Sequence, residues 1–246
     1  MSARPARVGL MIPSSNTMME VDFARDLPPG TALHTARMFM EDTTPAGESR
    51  MLDEFALPAA RDLGTARPDV VVFGCTSAGA LRGNDYDDEL CQRIGELTRA
   101  PVISTIGAVR TAIEGCGAAS VGVITPYVDE LNQKIKASIE ADGIDVAGIY
   151  GLGITDNFHI AEVGHDEIVA FADRALGPLA AGGTIDLVFA SCTNFGAMEA
   201  RPAISDRLGL PVITSNQAVL AAAVAQLQAA GLQAAWLQAA PRTGGG

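Results

Sequence analysis

The sequence predicts an α/β protein made of two similar halves related by a pseudo-twofold axis. Each half is expected to be a four-stranded parallel sheet flanked by helices, with a functional site at the interface between the halves. Two observations support this prediction. Short runs rich in Val and Ile alternate with longer segments of helical period, which is typical of parallel sheets covered by helices. The second part of the chain also nearly repeats the first.

The hydrophobic runs predict eight strands in two sets of four. The first set is Arg7–Ile12, Ala32–Phe39, Asp69–Gly74 and Pro101–Ser104. The second set is Ser120–Ile124, Ile144–Tyr150, Asp186–Ser191 and Pro211–Thr214. Segments of helical period predict five helices: Glu48–Leu63, Asp85–Arg99, Val128–Ala141, Asp166–Ala181 and Gln217–Ala229. We expect the last helix to continue toward Ala240 as a frayed tail.

Three segments of the first half recur in the same order in the second half. VGLMIPSSNT from Val8 resembles VGVITPYVDE from Val121, DVVVFGCTSAG from Asp69 resembles DLVFASCTNFG from Asp186, and APVISTIGAV from Ala100 resembles LPVITSNQAV from Leu210. The offset between the members of a pair is nearly constant, at about 110 to 117 residues, which favours a duplication. We therefore assign residues 1–113 and 214–246 to the first half, which includes the C-terminal helix, and residues 114–213 to the second.

Composition and charge exclude several classes of protein. The net charge is −12 and the 17 Lys and Arg residues are scattered, which argues against nucleic-acid binding. The apolar run before Pro13 is too short for the core of a signal peptide, and no stretch approaches the roughly 18 apolar residues of a membrane span. We therefore expect a cytoplasmic protein with no membrane partner. An anionic ligand would be repelled by the overall charge, so local donors would have to bind it.

The four cysteines form neither a C-x-x-C pair nor a cluster with histidine, so we expect free thiols and no metal site. Cys75 and Cys192 occupy equivalent places in the two halves, each after a buried-type strand and before a threonine. The backbone N–H groups of the following turn would favour a thiolate there. A single cysteine at a strand end is usually a core residue, so this prediction depends on the duplication. Cys91 and Cys116 have no equivalents and are interpreted as structural.

Parallel sheets bind ligands outside the carboxyl ends of their strands, so the two halves would bring Cys75 and Cys192 to one crevice. The motifs there are GCTSAG around Cys75, SCTN around Cys192, PSSNT after the first strand and TPY after the fifth. From about Arg7 to Leu220 the chain resembles the aspartate/glutamate racemase superfamily, and more closely its maleate cis-trans isomerase and arylmalonate decarboxylase branch. The resemblance implies a cofactor-independent enzyme that forms homo-oligomers.

The resemblance also implies how a substrate would be bound. A small dicarboxylate would lie between the halves, held by neutral donors rather than by Arg or Lys. Asn16, Tyr127 and Asn157 would bind carboxylate oxygens, helped by hydroxyl and backbone N–H groups near Ser77 and Thr193. Helix capping explains Asn16 equally well. Tyr127 has a second explanation too, as an interface aromatic residue with a solvated hydroxyl.

The presence of both thiols bears on the reaction. Arylmalonate decarboxylases keep only the second thiol, so Cys75 argues against decarboxylation. The resemblance favours cis-trans isomerisation of a small unsaturated dicarboxylate such as maleate, in which Cys75 adds to the alkene carbon and Cys192 transfers the proton. A racemase of amino acids or hydantoins would use one thiol as base and the other as acid. A related catabolic enzyme of the ectoine-use type and a non-catalytic sensor remain further alternatives.

Overall fold

Both halves of the chain contain a four-stranded parallel sheet in a computed structural model that describes residues 4–232. The strands of the first sheet are β1 (Ala6–Pro13), β2 (Thr31–Met38), β3 (Val70–Phe73) and β4 (Val102–Ser104). Those of the second are β5 (Ser120–Thr125), β6 (Asp145–Gly151), β7 (Leu187–Ala190) and β8 (Val212–Thr214). The strand orders, β2-β1-β3-β4 and β6-β5-β7-β8, are equivalent, so the predicted fold class and all eight strands are confirmed.

The pairing registers of the two sheets agree with the internal repeat. Val8 in β1 pairs with Val70 in β3. Val121 in β5 pairs with Leu187 in β7, and these are the two residues that the repeat aligns with Val8 and Val70. The carboxyl ends of β3 and β7 therefore reach the same level in their sheets. Each of these ends leads directly into one of the two Cys-Thr turns.

Eleven helices surround the sheets within the described residues. They are α1 (Met19–Asp26), α2 (Pro45–Arg50), α3 (Ala56–Gly64), α4 (Thr76–Leu81), α5 (Asn84–Thr98), α6 (Thr105–Gly115), α7 (Asp129–Glu140), α8 (Asn157–Ile160), α9 (His165–Ala181), α10 (Ala197–Leu208) and α11 (Ser215–Ala229). A π-helical turn, Met51–Phe55, joins α2 to α3. Across residues 4–232, none of the helices has the length and hydropathy needed to cross a bilayer.

All five helices expected from the sequence are present, and the predicted helix Glu48–Leu63 corresponds to α2, the π-helical turn and α3. The sequence pattern missed α1, α4, α6, α8 and α10. The tail expected toward Ala240 lies outside the described residues. Helix α11 packs against α6, β3 and β4 of the first half. This packing is compatible with the assignment of the C-terminal segment to that half, although the exact boundaries of the halves stay a prediction.

The central strands β3 and β7 are entirely buried, which accounts for their continuous apolar sequences. Each fully buried Val, Leu or Phe side chain contributes about 1.5–3 kcal/mol relative to an exposed one. The strand ends that carry Cys75 and Cys192 are therefore anchored in the most tightly buried part of each sheet.

Gly151, the last residue of β6, packs against the turn that carries Tyr127. A Cβ atom at this position would collide with the carbonyl oxygen of Tyr127 and would lie 2.6 Å from Nδ2 of Asn132. We expect Gly151→Ala to lower the free energy of unfolding by about 3 kcal/mol, because the buried atoms around it have no room to move. Gly115→Ala in α6 is the matched control, since the space around its Cβ is open. It is expected to be neutral or stabilising by about 1 kcal/mol. Urea denaturation measures both, and equal effects would contradict the packing described here.

Candidate active site

Cys75 lies between the end of β3 and the start of α4. Its backbone is extended, with φ −145° and ψ 111°, and it is the N-cap residue of the helix. The residue is only 4% exposed. Burial and the nearby Glu48 raise the pKa of the Cys75 thiol well above its usual range, although Ser77 and the backbone N–H of Ala78 act in the opposite direction. The donors at the helix start therefore do not by themselves make Cys75 a thiolate, because desolvation outweighs them.

Cys192 occupies the equivalent turn after β7, and it is 6% exposed. Its φ of 104° lies in the left-handed region, which costs a residue with a side chain about 1–3 kcal/mol. In this conformation the backbone N–H of Asn194 donates to Sγ of Cys192 over 3.3 Å. Burial raises the pKa of Cys192 to about 11, but the Tyr127 hydroxyl and the N–H groups of Asn194 and Phe195 lower it. Cys192 is thus the thiol with the stronger set of donors.

Tyr127 is positioned by the TPY turn after β5. Its backbone N–H donates to Oγ1 of Thr125 over 3.0 Å, and that hydroxyl donates to Oδ1 of Asn132 over 2.6 Å. Tyr127 is 1% exposed, and its hydroxyl lowers the pKa of Cys192, so the two side chains lie close together. Burial and the two thiols raise the pKa of Tyr127 well above its usual range. The alternative of an interface aromatic residue with a solvated hydroxyl does not fit this position.

Asn16 and Thr193 join the two halves beside the thiols. Nδ2 of Asn16 donates to Oγ1 of Thr193 over 3.0 Å, and the Thr193 hydroxyl donates to the carbonyl of Gly74 over 3.2 Å. Oδ1 of Asn16 accepts from the N–H groups of Met18 and Met19 at the start of α1. Asn16 therefore does cap a helix, as one of the two sequence interpretations held. Its amide nitrogen still carries a second hydrogen that can donate to a ligand.

Asn157 is the third predicted amide and is also buried between the halves. Its Nδ2 donates to Oγ of Ser15 over 2.8 Å, and its Oδ1 accepts from the Thr43 hydroxyl over 3.0 Å. Nδ2 of Asn194 donates to the Asn157 carbonyl over 2.6 Å, while Oδ1 of Asn194 accepts from the N–H of Thr17 over 2.8 Å. The sequence prediction did not include Asn194. Its position directly after the second Cys-Thr pair was the available signal.

The segment after β2, residues 39–44, crosses from the first half to the second above this network. The N–H of Thr43 donates to the carbonyl of Thr155 over 2.6 Å, and the N–H of Asn157 donates to the carbonyl of Glu41 over 3.0 Å. These bonds fix the segment against the second half, next to Asn157.

Glu48 is a site residue that the sequence did not indicate. It lies on α2 and is fully buried, and the Ser77 hydroxyl donates to its Oε1. Burial raises the pKa of Glu48 to about 8. A negative charge on Glu48 raises the pKa values of Cys75, Cys192 and Tyr127. The carboxyl group therefore lies near all three side chains. A glutamate near the start of a helix is usually exposed to solvent, where it interacts favourably with the helix dipole. There was therefore no reason in the sequence to predict Glu48 as a site residue.

The structure thus brings all seven predicted site residues into one buried network: Cys75, Cys192, Asn16, Tyr127, Asn157, Ser77 and Thr193. Among the described residues, the groups that most affect the pKa values of the two thiols are neutral or acidic side chains and backbone N–H groups, and none is a Lys or Arg side chain. Cys91 lies on α5 and Cys116 at the end of α6, away from this network. Across residues 4–232, no group of three or more His, Cys, Asp or Glu side chains is arranged to hold a metal ion.

Comparison with known proteins shows what the whole chain is similar to. Residues 8–236 match the family model described as arylmalonate decarboxylase. A maleate isomerase from Geobacillus stearothermophilus is 30% identical over 226 residues, which cover 87% of this chain and 88% of the relative. The arylmalonate decarboxylase from Bordetella bronchiseptica is 27% identical over 211 residues, 86% of each chain. The crystal structure of a maleate isomerase from Pseudomonas putida S16 with maleate has a TM-score of 0.83 at 25% identity, with 92% of this chain and 93% of that one covered.

The buried carboxyl of Glu48 makes a prediction about stability. Its pKa rises from 4.5 to about 8 on folding, so the folded state binds this proton more tightly than the unfolded state. The resulting stability is complete below about pH 4.5 and is lost as the pH rises toward 8. Relative to Glu48→Gln, wild type should lose on the order of 5 kcal/mol of unfolding free energy over this interval.

Chemical denaturation between pH 4.5 and 9 measures this difference. Asp87→Asn is the matched control, because Asp87 is another buried carboxyl whose pKa is raised, mainly by burial, only to about 6. The stability that depends on protonation of Asp87 should be lost by about pH 6. Parallel curves for wild type and Glu48→Gln at every pH would be incompatible with a protonated Glu48.

Proposed function

Because the chain belongs to the arylmalonate decarboxylase family, in which its relatives include maleate isomerases, we propose that it isomerises a small unsaturated dicarboxylate of the maleate type. The reaction proceeds through a cysteine adduct and requires no cofactor. The observation that supports this proposal most directly is the pair of thiols, Cys75 and Cys192. They follow equivalent strand ends, both are buried, and they lie close enough for charge on Cys192 to raise the pKa of Cys75. A decarboxylase of this family would have no evident use for the first thiol.

The substrate is held by neutral donors between the halves. The side-chain amides of Asn16 and Asn157 each donate one hydrogen bond to a neighbouring hydroxyl among the described residues. The second N–H of each amide is the group that would bind a carboxylate oxygen of the substrate. Oγ1 of Thr193 accepts from the Asn16 amide, while the Ser77 hydroxyl donates to Glu48. Amide donors of this kind offset the unfavourable net charge of −12 locally, because the residues around them are buried and hydrogen bonds to charged groups are strong there.

The reaction begins from the fraction of the enzyme in which Cys75 has released its proton to solvent, and this thiolate adds to one alkene carbon of the substrate. The new S–C bond takes an electron pair from sulfur, and the π electrons move to the adjacent carboxylate to give an enediolate. Protonation by Cys192 gives a succinyl-cysteine adduct whose former double bond is now single and free to rotate. Cys192 then takes the proton back, the S–C bond breaks, and the trans isomer leaves. The electron pair returns to Cys75 and the proton to Cys192, so no other reactant is consumed.

The donor sets of the two thiols support this division of roles. Tyr127 and two backbone N–H groups stabilise the Cys192 thiolate, which makes Cys192 the better acid. The Cys75 thiolate has weaker support and lies closer to the charge of Glu48. Because nucleophilicity of a thiolate rises with the pKa of its thiol, Cys75 is the stronger nucleophile once it is deprotonated.

We also propose that the enzyme works in the cytoplasm. The resemblance of its sequence implies in addition that it forms a homo-oligomer. The mechanism needs both thiols in the reduced form, which the cytoplasm maintains. Light scattering of the purified protein would give the oligomeric state.

The test of this function is incubation with maleate, with fumarate followed by NMR. Wild type should convert maleate, and Cys75→Ser should lose this activity almost completely because serine is a far weaker nucleophile. Cys91→Ser is the matched control, since Cys91 lies outside the site, and it should retain wild-type activity. Absence of turnover on maleate by wild type, with turnover of related diacids, would overturn the assignment to maleate.

Two buried thiols that share one pocket also fit a racemase with two bases, which is the second candidate. Reactions in D₂O separate the two functions. A racemase incorporates deuterium at the Cα atom of an amino acid or hydantoin, whereas isomerisation through an adduct does not require exchange with solvent. Deuterium in Cα of such a substrate, without conversion of maleate, would favour the racemase.

A further inference from the structure

The carboxyl group of Glu48 uses only half of its hydrogen-bonding capacity. Oε1 accepts from the Ser77 hydroxyl, while Oε2 is buried and has no partner among the described residues. A buried polar atom without a partner costs about 1–3 kcal/mol, and such atoms usually have a partner in the functional state of a protein. The unpartnered oxygen therefore points to a ligand.

The surroundings of Glu48 show where this ligand would lie. Ser77, which contacts the carboxyl, is the second residue after Cys75 on the same turn. The charge of Glu48 affects Cys75, Cys192 and Tyr127, which surround the reacting centre. Glu48 therefore adjoins the turn that carries Cys75 and lies near the groups proposed to react.

Burial raises the pKa of Glu48 to about 8 even though the hydrogen bond from Ser77 lowers it, so the carboxyl is protonated near pH 7. A protonated Glu48 that accepts from Ser77 through its carbonyl oxygen Oε1 carries the proton on Oε2. Oε2 is then a donor and not an acceptor. An ionised Glu48 would instead repel a dicarboxylate in a pocket where no cation is among the main influences on the thiols.

We propose that protonated Glu48 binds one carboxylate group of the substrate by donating a hydrogen bond from Oε2, while Ser77 fixes the orientation of the carboxyl group. The inference rests on the proposed function, because it requires an anionic substrate. It adds a binding residue that makes substrate affinity dependent on pH. The substrate binds the enzyme in which Glu48 is protonated, so the affinity for substrate falls as Glu48 ionises.

The other titratable groups that face Glu48 ionise at higher pH. Cys192 has a pKa of about 11, and burial raises those of Cys75 and Tyr127 well above their usual range. The charged side chains of α2 and the elements packed against it are largely exposed and pair with one another; they are Arg50, Asp53, Glu54 and Arg82. Between pH 7 and 9, Glu48 is thus the group in this pocket whose charge changes.

The test uses succinate, a saturated dicarboxylate that cannot be isomerised, so it does not depend on turnover. Isothermal titration calorimetry between pH 7 and 9.5 should show that wild type loses affinity above pH 8, by about tenfold per pH unit. Binding in that range should also take up as much as one proton per succinate. Titrations in buffers of different ionisation enthalpy measure this uptake.

Two variants of Glu48 distinguish the effect of its hydrogen-bond donor from the effect of its charge. Glu48→Gln keeps an N–H donor, so it should bind within a few-fold of wild type at pH 7 without the pH dependence or the proton uptake. Glu48→Met has no donor and should bind roughly 10- to 100-fold more weakly at pH 7. Asp87→Asn, which replaces a buried carboxyl outside the pocket, is the matched control and should follow wild type.

The outcomes distinguish this inference from the proposed function. If Glu48→Gln loses affinity with pH in parallel with wild type, or if Glu48→Met binds succinate as tightly as wild type, Glu48 is not the donor. Either result would leave the isomerase proposal in place. If wild type binds neither succinate nor maleate, the dicarboxylate substrate class is wrong and the role of Glu48 falls with it.

Discussion

Desolvation of the two thiols is the physical constraint that the chemistry of this site must satisfy, because burial is the largest influence on the pKa of Cys75 and on that of Cys192. Desolvation raises the pKa values of Cys75, Cys192, Tyr127 and Glu48, so all four groups are neutral near pH 7. Negative charge that enters or develops in the pocket must be held by hydroxyl, amide and backbone N–H groups. These donors are oriented by the fold before any ligand binds, which is the condition under which they stabilise charge most effectively.

The fold supplies this arrangement by tying the second Cys-Thr turn to the first half. The Thr193 hydroxyl donates to the carbonyl of Gly74 over 3.2 Å, and the backbone N–H of Cys192 donates to Oγ of Ser215 over 3.0 Å. Ser215 also accepts from the Thr76 hydroxyl over 2.9 Å. Ser215 therefore links both Cys-Thr turns, and contacts between the halves fix the position of Cys192 relative to the first half.

Features with a local or repeated signal were predictable from the sequence. The strands follow from apolar runs, and the pairing of Cys75 with Cys192 follows from the duplication. Helix α4 was missed because all six of its residues are buried, which removes the alternation of polar and apolar faces. Glu48 and Asn194 were missed as site residues because their partners are distant in the chain. Ser77 is 29 residues from Glu48, and Thr17 is 177 residues from Asn194.

The central claim is that Cys75 forms the adduct and Cys192 moves the proton. Its most direct test is peptide mass spectrometry of the Cys192→Ser variant after incubation with maleate. We expect a succinyl group on Cys75, because without the Cys192 thiolate nothing removes the proton that the adduct gains from solvent, and the S–C bond then cannot break. An unmodified Cys75, or full isomerase activity in this variant, would contradict the division of roles between the two thiols.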